Sequence, residues 1–119
     1  MITITLQRAP DGWISRFRAS GHAGYAESGH DIICAAVTAL AATAIGSLQE
    51  LAAIEPLHRL EDGLIEICLP DRLTLTERQE QTAAVLMQAL LIGCRQIGDS
   101  YGDRFIRIRT GAKKGGNHP

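Results

Sequence analysis

From Ile32 to Ile54 the chain reads IICAAVTALAATAIGSLQELAAI, apolar almost throughout, and this segment constrains everything around it. Its alanines and leucines favour a helix. The length invites a test for a membrane span. Thr38, Thr43, Gly46, Ser47, Gln49 and Glu50 interrupt the segment and Asp31 opens it, so its transfer into lipid is weakly favourable at best, and no membrane partner is expected. A soluble helix that is apolar on nearly every side must be covered by the rest of the domain or by a second subunit. A homodimer built largely on this helix is therefore expected.

The remainder of the 119 residues supplies the cover. A chain of this size forms one domain with one core and needs neither metal nor disulfide staples. Ile2, Ile4 and Leu6 alternate with threonines, and after the turn APDG the run WISRFRAS alternates again, which predicts a hairpin. A second hairpin is expected from strands at about 57–60 and 64–69, joined at Glu61-Asp62-Gly63 by Asp-Gly turn chemistry. Thr74 and Glu77 have capping-box spacing before a second helix, whose apolar stripe is Ala83, Leu86, Leu90, Cys94 and Ile97. RFIRIRT closes the series as a strand. The order ββαββαβ predicts a single α+β domain over 1–110, with a mostly antiparallel sheet of about five strands and two helices packed on it. Residues 111–119, AKKGG included, read as a disordered basic tail.

A formal charge of −1 argues against a general nucleic-acid binder, so no direct nucleic-acid contact is expected despite the local run RFIRIR. MITITLQRAP lacks the features of a signal peptide, which predicts a cytoplasmic protein. Three cysteines without C-x-x-C spacing form neither a disulfide framework nor a zinc ribbon.

The chemistry concentrates in GHAGYAESGHDIIC, Gly21 to Cys34. If Asp31 is the N-cap, Cys34 falls in the first helical turn beside unpaired backbone N–H groups. There the helix dipole stabilises a thiolate, and the same N–H groups can hold an oxyanion. A neighbouring imidazole, from His22 or His30, completes a cysteine–histidine pair. The charge of Asp31 opposes thiolate formation unless it is engaged in capping or in orienting a histidine. Gly21, Gly24 and Gly29 make the loop able to bend around a ligand, with Tyr25 as a possible contact. Cys34 as plain packing is the competing reading; Cys68 and Cys94, with no histidine near them in sequence, are assigned to the core. His22, His30 and Cys34 match no compact zinc spacing, so no metal is expected. A non-catalytic dimeric module for ribosome assembly and a thiol or metal sensor remain the alternatives from other functional classes.

GHA followed by G-x-D-I-I-C-A-A-V and then A-L resembles the ribosomal-processing cysteine protease family of bacteria (Prp type), and the order of elements agrees along essentially the whole chain. The resemblance implies a small, usually dimeric α+β protease whose catalytic dyad carries over onto His22 and Cys34, with the family's aspartate at Asp31. It implies an endopeptidase that removes the N-terminal extension of large-subunit ribosomal protein twenty-seven, with aromatic residues before the cut, through an acyl-enzyme and without a cofactor. The partner is then a ribosomal protein precursor. Thr38 stands where the family carries serine, and His30 where a less specific polar residue is usual.

Overall fold

The computed structural model describes residues 1–22 and 32–112. The elements are β1 (Ile2–Arg8), β2 (Ile14–Gly21), α1 (Ile32–Ala52), β3 (Leu57–Glu61), β4 (Leu64–Cys68), α2 (Glu77–Tyr101) and β5 (Ile106–Ala112), with a short 3-10 turn at Arg72–Thr74. They form one five-stranded sheet in the order β3-β4-β2-β1-β5. Three neighbouring pairs are antiparallel, whereas β1 and β5 run parallel, so the sheet is mixed. The register also makes β3 run parallel to β2, and β5 parallel to β4. Strands of like direction need a long crossover, and α1 and α2 are those crossovers.

Period-two alternation gives the sheet one apolar face. Ile65, Ala19, Ile4 and Ile108 lie in one row across β4, β2, β1 and β5, and Ile67, Phe17 and Leu6 lie in the next. Ile4, Leu6, Phe17 and Ile67 are all at most 1% exposed. The opposite face carries Arg16 and Arg18, which pair with Glu66 at 3.0 and 3.5 Å. The helices cover the apolar face. On α1 the buried residues Ile33, Val37, Ala41, Ala44, Ile45, Leu48 and Ala52 recur every three or four positions, forming a single stripe against the sheet and α2. Each large aliphatic side chain there contributes about 1.5–3 kcal/mol by leaving water. The two helices approach closely at Gly93, where a Cβ would lie 2.8 Å from Leu40 Cδ1.

The second helix starts two residues later than its capping-box spacing predicts. Thr74 belongs to the 3-10 turn, where Asp71 accepts from the Leu73 N–H and the Thr74 hydroxyl donates to the Asp71 carbonyl. The box that forms is Thr76 with Gln79. Both pairs satisfy the S/T-x-x-E/Q pattern, and the preceding Pro70-Asp71 turn consumes the first. Ala83, Leu90 and Cys94 are buried on α2 as expected, joined by Met87 and Leu91. Arg72 bridges this region to the first hairpin: it reaches Asp11 at 2.9 Å and Glu80 at 2.7 Å, and lies over the Trp13 ring at 4.7 Å. That guanidinium holds the Asp11 carboxyl below its usual range.

Candidate active site

β2 ends on Gly21, and its geometry admits no other residue. Its φ is +94°, and a Cβ would stand 2.6 Å from the Met1 carbonyl oxygen. The Gly21 N–H donates to the Gly63 carbonyl at 2.9 Å, and the Met1 nitrogen donates to the His22 carbonyl. His22 is thereby fixed between the start of β1 and the turn joining β3 to β4. Its ring lies against Gly63, where a Cβ would be 3.1 Å from Cε1. Nε2 meets Asp62 Oδ1 at 3.1 Å.

Cys34 arrives from a different element. With Ile32 as the first helical residue, it is the third residue of α1, as the sequence predicts, and is half-buried against the core. His22, Cys34, Thr38 and Asp62 line one narrow cleft of about 70 Å3, floored by Ala19 and Ile65. The fold therefore brings the two expected reactive residues together at one end of the sheet. The Thr38 hydroxyl donates to the Cys34 carbonyl at 2.8 Å, so its proton is spent within its own helix. Asp31, Gly24, Tyr25, Gly29 and His30 lie outside the described residues.

The other cysteines occupy unlike surroundings. Cys94 is wholly buried, and that burial pushes its thiol up to about 12. Cys68, expected in the core, is only half-buried. None of the three forms a disulfide. Among the described residues, no three His, Cys, Asp or Glu side chains are grouped to hold a metal ion.

Asp62 is the site residue that sequence reasoning missed. Asp62-Gly63 reads locally as hairpin chemistry, and its contact with His22 depends on β2 pairing with β4 across the whole of α1. No local spacing encodes that pairing. A larger groove of about 750 Å3 lies at the other end of the first hairpin, beside Trp13, Arg72 and α2, and contains neither His22 nor Cys34.

The chain is similar to several known proteins. The ribosomal processing cysteine protease Prp of Bacillus subtilis (strain 168) is 33% identical over 112 residues, spanning 92% of this chain and 97% of the relative. The crystal structure of SMU.848 from Streptococcus mutans superimposes with a TM-score of 0.78 at 26% identity, over 95% of this chain and 96% of that one. The essential ribosomal processing protease Prp from S. aureus, solved with a covalently linked product peptide, shares the fold with a TM-score of 0.78 at 24% identity, over 93% of this chain and 100% of that one. The family model of cysteine protease Prp matches residues 1–106, a span that contains both sides of the cleft, and the chain accordingly belongs to this family of cysteine proteases.

Proposed function

We propose that the protein is the endopeptidase that removes the N-terminal extension of large-subunit ribosomal protein twenty-seven in its host, using Cys34 as nucleophile and His22 as base. The observation that carries this reading is the shared cleft, which joins a histidine at the end of β2 to a cysteine in the first turn of α1. The Cys34 sulfur attacks the scissile carbonyl after its proton passes to His22. The helix N-terminus supports the charge that develops on the carbonyl oxygen. His22 returns the proton to the leaving amine, and water releases the acyl-enzyme. Asp31 is assigned a supporting role, and Gly21, Gly24, Tyr25 and Gly29 are assigned to the substrate side of the site, on the family resemblance. The enzyme works in the cytoplasm, as a homodimer.

Support for the substrate comes from the B. subtilis relative, a ribosomal processing protease by name. The test is incubation of the purified protein with its host's ribosomal precursor, read by mass spectrometry. One N-terminal cut is expected, weakened when the aromatics before it become alanine. Cys34→Ala should abolish cleavage, because it removes the nucleophile, and His22→Ala should lower kcat by at least ~100-fold, the lower end of what a positioned acid–base group supplies, while the fold persists in both. Cleavage that survives Cys34→Ala rejects the mechanism. A cut elsewhere, or indifference to the aromatics, rejects the substrate.

A further inference from the structure

We propose that Asp62 is a positioning residue for the reaction: its carboxylate selects the tautomer of His22 that can take the Cys34 proton. The inference rests on the reading of His22 as the base and adds to it a partner that the local motif does not contain.

An ionised carboxylate only accepts hydrogen bonds, so at 3.1 Å from Asp62 Oδ1 the Nε2 atom of a neutral His22 ring must carry the proton. The lone pair then sits on Nδ1. In the reaction the Sγ–H proton moves to Nδ1, giving an imidazolium that donates from both nitrogens, and the same proton passes from Nδ1 to the leaving amine. Asp62 keeps its charge throughout and steadies the cation while it exists. Three further features hold the ring and the carboxylate in register. Gly21 donates to Gly63 at 2.9 Å, Ser20 pairs with Leu64, and the absent side chain of Gly63 leaves the space that the imidazole fills. The β3–β4 turn is thus a platform for the histidine, delivered by the pairing of β2 with β4.

Exposure sets the size of the effect. The His22 and Asp62 side chains are 60% and 96% exposed, so water screens their contact. An exposed pair of this kind supports a loss of about twofold to fivefold in kcat, far below the ~10,000-fold seen when a buried triad aspartate is replaced.

The experiment compares Asp62→Asn, Asp62→Ala and Asp62→Glu in the full chain. Asn-Gly suits a tight hairpin turn at least as well as Asp-Gly, so the asparagine variant keeps the fold while allowing the amide to donate to Nε2. Three quantities are measured: peptide cleavage, the rate of Cys34 alkylation by iodoacetamide, and the His22 tautomer by 15N NMR, assigned by comparison with His22→Gln. Asp62→Asn and Asp62→Ala should lower kcat and alkylation by about twofold to fivefold with KM unchanged, and should raise the fraction of ring protonated on Nδ1. Asp62→Glu should recover part of both. An unchanged tautomer, or a shifted tautomer with unchanged kcat and alkylation, overturns the proposal. Should the native protein cleave no ribosomal precursor, the substrate reading fails, and the alkylation rates and tautomer still decide the role of Asp62.

Discussion

Cys34 and Cys94 carry the same thiol in opposite surroundings. Cys34 lies in the first turn of a helix and lines a cleft with an imidazole, whereas Cys94 is 0% exposed in the core and its thiol is pushed up to about 12 by burial. Iodoacetamide near neutral pH should therefore modify Cys34 first and reach Cys94 only after unfolding, with Cys68 between them. Peptide mapping of a timed alkylation checks this order, and equal rates at Cys34 and Cys94 contradict it. Cys94 also sets a direction for alkaline stability. Its native thiol holds a proton that the unfolded chain releases from the ordinary value of 9.0 upward, so its contribution is intact below about 9 and is lost as pH rises towards 12. At this scale the sequence was informative where chemistry is local. Cys34 at a helix start stands out from spacing alone, His22 is singled out from His30 by the family resemblance, and Asp62 becomes visible only when β2 meets β4.

Gln79 shows how one side chain can serve two elements. Its carbonyl oxygen accepts from the Thr76 N–H at the start of α2, and its amide nitrogen donates to the Ala52 and Ala53 carbonyls, each at 3.2 Å, at the end of α1. Those carbonyls need a partner because α1 ends at Ala52 and the next residue, Ala53, has φ +53°, a left-handed position usually given to glycine. Thr76→Ala should cost about 1 kcal/mol, the ordinary value of an N-cap. Gln79→Ala should cost more, about 1–2 kcal/mol, since it uncaps both helices. Urea denaturation of the two variants measures the difference, and a smaller loss for Gln79→Ala contradicts the shared cap. Strand and helix identities were legible from period-two and helical patterning, and the Asp-Gly turn from its residues. The register of the α2 start was not, because Thr74 and Thr76 offer the same local signal and the preceding 3-10 turn decides between them. The parallel placing of β5 was likewise hidden, since alternation within a strand carries no direction.

For the molecule as a whole, α1 retains more apolar surface than the sheet and α2 cover. By length and composition it is a helix that could cross a membrane, yet its buried stripe packs into the core of this domain. Ile32, Ala35, Ala39 and Ala42 remain exposed at helical spacing, with Leu51 67% exposed further along. The sequence predicts this excess without showing which face bears it; the fold assigns that face by covering the opposite one. We expect a second copy of the chain to cover it, and Ala42 locates the test. Glutamate there is a good helix former on an exposed position, so Ala42→Glu should leave the stability of the single subunit nearly unchanged. In a dimer it places an unpaired charge in an apolar interface, a cost of several kcal/mol and hence a rise in dissociation constant of at least ~100-fold. Light scattering across the micromolar range should report a dimer for the native protein and a monomer for the variant. A native protein that stays monomeric over that range rejects the dimer, while a dimer unaffected by Ala42→Glu moves the interface to another face.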